Sequence, residues 1–364
     1  MILKNIINFI ENKFPLSLQE PYDNCGLTYG NPESEINGIL VCLDVTEEII
    51  AEAVQKKCNL IVSHHPVIFK GLKNITGNSM NQRVIESCIK NEIYLYALHT
   101  NLDNHHKGVN NQIAHKIGLK NLKPLAPKPN TLVKLVVYVP ESNKPALEQA
   151  LFEQGAGAIG DYSECSFSLK GTGTFTPSHE ANPSIGETEK NQKVEEIRVE
   201  YLVRNIDLKN VLNAMWKHHP YEEVAHDIVP IRNTNSEIGS GMVGDLSESI
   251  DELEFLKKIK SDFNLKILKH TDFLKTPIKK VAICGGSGSF LLEHAKKSKA
   301  HVFITSDFKY HEFFDAEKQI LILDIGHWES EQFTSKLIGD ILKEKFSNFA
   351  IHLTEVNTNP VNYF

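Results

Sequence analysis

Three apolar runs in this chain end in side chains that bind metals or move protons. Leu60-Ile-Val-Ser63 runs into His64 and His65, Ile93-Tyr-Leu-Tyr-Ala-Leu98 into His99 and Asp103, and Ile320-Leu-Ile-Leu-Asp-Ile325 into His327 and Glu331. Imidazole and carboxylate without thiolate suit zinc, iron or manganese, and they leave the choice among the three open. The adjacent His64 and His65 diverge, which suits two ions better than one. His327 and Glu331, four apart at a helix start, project from one face. Asp103 has two oxygens with which to bridge two cations. Two ions about 3.5–4 Å apart generate a hydroxide nucleophile at neutral pH and polarise a substrate oxygen.

Each stretch alone has a plainer reading. His64 and His65 could close a strand with hydrogen bonds, Asp103 could cap the helix VNNQIAHKIG, and His327 with Glu331 could be a solvated first turn. The coincidence at three strand ends favours metal. His99 either orients Asp103 or serves the substrate. In TSDFKYHEFFDA, Asp307 and His311 are cap and surface residues unless they line the same crevice. There His311 becomes a candidate general acid or base. Gly285 to Ser289 follow a strand and precede a helix, a place where anions bind, although a packing turn is the simpler reading. His218, His219, Tyr221, Glu222 and Glu223 read as an interface or turn.

The elements that must position these residues follow from periodicity. ILVCLDV, LIVS and IYLYAL are short apolar strands separated by the helical patterns EEIIAEAVQKK and NQRVIESCIKN. That alternation predicts a parallel-rich α/β sheet, whose sites gather beyond the carboxyl ends of its strands. PLAPKPNT, with three prolines, reads as a linker. Beyond it, TLVKLVVYVP, KPALEQALFEQGAG, EEIRVEYLVR, DLKNVLNAMWKHH and AHDIVPI describe a small α+β module, with Gly171 to Lys193 as loop. From NTNSEIGSGMVG onward the α/β texture returns with KKVAICG, HVFITS and QILILDIGH, and the last helix carries Phe333, Leu337, Ile338, Ile341, Leu342 and Phe346 on one face.

A formal charge of −7 argues against nucleic acid as the main partner. The six cysteines form no C-x-x-C pair and read as reduced core residues. No cleavable leader or membrane-length apolar run is evident, so a cytoplasmic location without membrane contact is expected.

SHHPVIF, ALHTNLD and GHWESE, in this order, resemble the Nif-three-like family, the GTP cyclohydrolase 1 type 2 homologues, and the likeness spans the chain. PYDNCGLTYG, CGGSGS and TSDFKYHEFFDA look like further signatures, with Ser306 where that family more usually has glycine. GAGAIGDYSECSFSLKGTGTF and HPYEEVAHDIVPI are similar to the extra domain of its longer members, related in fold to the PII and CutA proteins. The resemblance implies two similar α/β lobes, residues 1–126 and 236–364, forming one metal-binding domain. Between them, residues 127–235 would be an inserted PII/CutA-like, ferredoxin-like α+β domain. It also implies a homohexamer with two divalent metal ions per subunit on His64, His65, Asp103, His327 and Glu331. The expected activity is hydrolysis of GTP or another nucleotide or phosphorylated metabolite by metal-activated water. The competing expectation is a metal-binding regulatory or interaction protein without turnover, its insert used for ligand sensing or oligomerisation.

Overall fold

Helix α1 (Leu3–Lys13) buries Leu3, Ile6 and Ile10 along one stripe, as their spacing requires. Strands β1 (Gly26–Tyr29), β2 (Ile39–Cys42), β3 (Leu60–Ser63) and β4 (Tyr94–Ala97) follow, with α2 (Glu47–Gln55) after β2 and α3 (Met80–Asn91) after β3. Thr46 and Ser79 cap these two helices by accepting the N–H groups of Ile49 and Gln82. Next come α4 (Thr100–Asp103), α5 (Val109–Ile117) and β5 (Lys120–Pro127). The computed structural model describes residues 1–364, and the chain divides into two units. One combines Met1–Pro127 with Glu237–Phe364, and the other is Lys128–Ser236.

The second unit holds β6 (Leu132–Val139), α6 (Lys144–Phe152), β7 (Ser166–Phe175), β8 (Gln192–Arg204), α7 (Leu208–His218) and β9 (His226–Pro230). Its antiparallel sheet runs β7-β8-β6-β9. Leu135, Val137, Val199 and Tyr201 pack with Leu147, Leu151, Val211 and Met215 of the two helices. The expected loop from Gly171 to Lys193 is shorter than the sequence suggests. Residues 171–175 finish β7 and residues 192–193 begin β8. β7 is an edge strand exposed along most of its length, so it lacks the apolar alternation that reveals a strand.

The first unit resumes with β10 (Gly239–Ile250), α8 (Glu252–Asp262), β11 (Lys269–His270), β12 (Ile278–Ser287), α9 (Leu292–Lys297), β13 (Val302–Ser306) and β14 (Leu321–Asp324). It ends with α10 (His327–Glu331), α11 (Thr334–Lys345) and β15 (Ile351–Leu353). One sheet has the order β1-β4-β3-β2-β15, the other β11-β14-β13-β12-β10-β5. β4, β3, β2 and β15 are mutually parallel, as are β12, β13 and β14. PLAP is therefore no linker: Pro124 to Pro127 pair with β10. β5 lies at the sheet edge, where a missing proline N–H costs no ladder bond.

Side-chain alternation explains why these strands read as unbroken apolar runs. Ile39, Val41, Leu60 and Val62 share one core with Val281, Ile283, Val302, Ile304, Leu321 and Leu323 of the other sheet. The opposite faces are covered too: Leu40, Cys42 and Ile61 pack with α2 and α3, and Ala282, Phe303 and Ile322 form a further cluster with Leu292 and Ala295 of α9. All six cysteines are free thiols. No helix is long and apolar enough to cross a membrane.

Candidate metal centre

The ladder between β2 and β3 continues just past the strands and carries both histidines. The N–H of His64 bonds to Cys42 O at 3.2 Å and that of His65 to Leu43 O at 2.9 Å. Pro66 then ends the ladder because it has no N–H. β4 passes into α4, which presents Asp103, and β14 leads through Gly326 into α10, which presents His327 and Glu331. These strand ends converge within the first unit.

Three donor groups meet there: His64, His65 and His99 form one, and the other two share a carboxylate. Those two are His64, Asp103 and Glu331, and His65, His327 and Glu331; in each group the donor atoms lie within 4.8 Å of one another. Glu331 Oε1 is 3.7 Å from His64 Nε2, while Oε2 is 3.1 Å from His65 Nε2 and 3.3 Å from His327 Nε2. Asp103 Oδ1 is 3.7 Å from His64 Nε2. Glu331, rather than Asp103, is the carboxylate common to both of these groups. Asp103 does not cap the next helix, since the N-cap position of α5 is Gly108.

His64 Nε2, His65 Nε2, Asp103 Oδ1 and Glu331 Oε2 are all buried without a hydrogen bond. Burying such groups unpaired costs about 1–3 kcal/mol each, more when charged, and a cation bound among them would offset that cost. The imidazoles are already oriented for one. His64 Nδ1 lies 2.7 Å from Leu98 O, His65 Nδ1 2.7 Å from Asp44 Oδ1, and His327 Nδ1 2.6 Å from Asp307 Oδ2. A carbonyl and two carboxylates can only accept, so each Nδ1 carries a proton and donates it. Nε2 is left for a metal.

Electrostatics follow from this crowding. Burial disfavours charge on His65 and His327, but the carboxylates of Asp44, Asp307 and Glu331 beside them prevail and push their pKa values up to about 10 and about 11. Burial alone dominates at His64, which is pushed down. Burial, then repulsion from Glu331, raises Asp103 far above the usual carboxylate range. Glu331 itself is buried, yet His64, His327 and His65 outweigh that burial and hold it well below that range.

His99 belongs to the same cluster, its ring 5.2 Å from that of His64 and 5.3 Å from that of His65. It does not orient Asp103. Its Nδ1–H donates to Asp23 Oδ1 at 2.8 Å, and Asp23 also accepts from Thr100 N–H and from the Thr100 hydroxyl. Burial would raise the Asp23 pKa, but His99 and Thr100 hold it below the ordinary range. His311 stays apart: it is exposed and packs on Tyr310 and Phe314. Asp44 and Asp23 were missed as site residues. The signal for Asp44 was its place just beyond β2, the same strand-end position that marked the others.

The glycine-rich turn serves packing. Gly286 has φ +63°, and a Cβ there would overlap Glu331 Oε1 and stand 3.2 Å from His327 Nε2. Ser306 is compatible with this close approach: its hydroxyl donates to Gly286 O at 2.6 Å. Asp307 takes a left-handed backbone, φ +59°, at the end of β13, a conformation aspartate tolerates.

A cavity of about 650 Å³ opens beside the cluster. His65, His99 and His327 reach its wall, along with Phe69, Trp328 and Tyr363. The segment after β15 closes one side: Thr358 donates to Asp44 Oδ2 at 2.7 Å and Asn359 to Glu329 Oε1 at 3.0 Å.

The model of the Duf34/NIF3 (NGG1p interacting factor 3) family matches residues 1–360. The chain belongs to the Duf34/NIF3 family. Among curated relatives, proteins of Halalkalibacterium halodurans and Bacillus subtilis are each 38% identical to it. Both alignments cover 99% of this chain and 98% of the relative, and both proteins are named GTP cyclohydrolase 1 type 2 homolog. Among solved structures, a Bacillus cereus protein related to NIF3 superposes with TM-score 0.89 at 36% identity, covering 100% of this chain and 99% of that one. A Staphylococcus aureus protein gives 0.79 at 29%, with the same coverage. The NIF3 fold is therefore this chain's fold, a mixed α/β architecture with several sheets.

Proposed function

We propose that this chain is a dinuclear metal-dependent hydrolase of the kind its relatives' name suggests, with His64, His65, Asp103, His327 and Glu331 as ligands. The observation that carries the reading is the set of four buried, unpartnered donor atoms between two groups that share Glu331. Two divalent cations bound there would activate water at neutral pH and polarise a substrate oxygen. Asp44 and Asp307 hold the imidazoles of His65 and His327 in register. His99, held through Nδ1 by Asp23, has Nε2 free to exchange a proton with a substrate in the cavity that it lines. Phe69, Trp328 and Tyr363 provide an aromatic wall that suits a flat ring such as a nucleobase.

The relatives' name favours GTP or another nucleotide as substrate. Two NIF3-type lobes, an inserted PII/CutA-like domain and a cytoplasmic homohexamer complete the proposal. Exposed Phe290, Tyr310 and Phe314 support self-association. The test is elemental analysis of purified protein, followed by GTP turnover with formate detection before and after metal removal. Metal-dependent formate release is expected. Full loading without turnover on any nucleotide would leave a metal-binding regulatory protein instead.

A further inference from the structure

A second cavity, of about 490 Å³, lies wholly within residues 128–236, well inside the size range of small-molecule sites. Its walls are Tyr138 of β6, Gly173 to Phe175 of β7, Glu196 of β8, Pro177, Ala181 and Pro183 to Ile185 of the following segment, and Tyr221 to Glu223 with Ala225. We propose that this cavity is a binding site for an organic cation, an amine or guanidinium on a flat or apolar body.

The charge balance is the first argument. Three carboxylates, Glu196, Glu222 and Glu223, line the cavity, and no lysine, arginine or histidine does. Arg198 pairs with Tyr138 across the ladder, but its guanidinium is engaged by Glu200 at 2.9 Å. His219 braces the site without adding charge: Nε2–H donates to Tyr138 O at 2.9 Å and Nδ1 accepts the Tyr221 N–H at 3.1 Å. That pattern uses both nitrogens of a neutral ring.

Shape supplies the second. Phe175 and Tyr221 stand 6.4 Å apart at 53°, and Tyr138 adds a third ring, the arrangement that attracts a cation to aromatic faces. The Tyr221 hydroxyl is buried beside the carboxylate of Glu196. Gly173 makes room for that carboxylate, because a Cβ there would overlap Glu196 Oε2. The covering segment is pinned by Asn182 N–H donating to Glu222 Oε1 at 3.0 Å.

The test uses the full chain and calorimetric titration with tyramine, agmatine and choline, against 4-hydroxyphenylacetate as an anion on the same ring as tyramine. At least one cation should bind saturably, and the anion should not. Glu196→Gln should weaken that cation by about tenfold, as when a charged hydrogen-bond partner is lost. Tyr221→Leu should weaken it as well. Glu331→Ala, which alters only the metal centre, should leave cation affinity unchanged. Melting curves establish that each variant is folded, and Glu196→Gln, the mildest change, decides the matter if Tyr221→Leu fails to fold. No binding by any of the three cations, equal binding of the anion, unchanged affinity in Glu196→Gln, or loss of binding in Glu331→Ala would each overturn the proposal.

Discussion

Glu331 faces His64 with one carboxylate oxygen, at 3.7 Å, and His65 with the other, at 3.1 Å. Two neighbours in sequence thus look at opposite sides of a single acid that arrives from a helix more than 260 residues later. This asymmetry separates the roles of the two carboxylates. Glu331→Ala should abolish both metal positions, whereas Asp103→Ala should remove only the one beside His64. Elemental analysis should show a fall from about two metals per chain to about none and about one, respectively. Equal losses in the two variants would contradict the shared role of Glu331.

Asp44 and Asp307 act through the histidines they hold. Asp44→Asn or Asp307→Asn should lower metal affinity about 10–100-fold while leaving the fold intact, because an amide can turn its own N–H toward Nδ1 and spoil the tautomer. Competition with a chromogenic chelator measures this. Asp23→Asn should instead spare metal content and lower kcat with an altered pH profile, since Asp23 reaches only His99 among the clustered imidazoles.

Gly286→Ala tests the close approach beneath the site. A side chain at φ +63° costs about 1–2 kcal/mol by itself, and the added Cβ must displace Glu331. A modest drop in melting temperature with a large drop in metal content is expected. Retention of both metals would show that Glu331 has room to move.

Metal binding should release protons. In the metal-free chain His65 and His327, with pKa values near about 10 and about 11, keep their Nε2 protons at neutral pH, and a metal must displace them. Affinity should therefore rise with pH, and titration in buffers of differing ionisation enthalpy should report at least two protons released per chain at pH 7. The folding linkage has the opposite sense. These raised values stabilise the metal-free fold fully below 6.5 and lose that contribution as pH rises through about 10.

Much of the site was legible in the chain itself. Apolar runs buried on both faces, ended by histidine or carboxylate, are a local pattern. It located β3, β4, β14 and all five candidate ligands without knowledge of their pairing. The apolar stripe of α11 was equally local. What remained hidden depends on partners distant in sequence. Asp44, Asp23 and Asp307 serve histidines 21, 76 and 20 residues away, and alone each looks like any polar residue closing a strand or loop. β7 and the proline-bearing β5 were hidden because an edge strand need not alternate and can forgo some of its N–H groups. The sequence by itself determined which side chains could hold metal and which strands deliver them. Only the tertiary structure decided that Glu331 is shared, that His311 stands apart, and which oxygen orients each imidazole. Those relations are set by how two sheets pack against one core, and no local period encodes that distance.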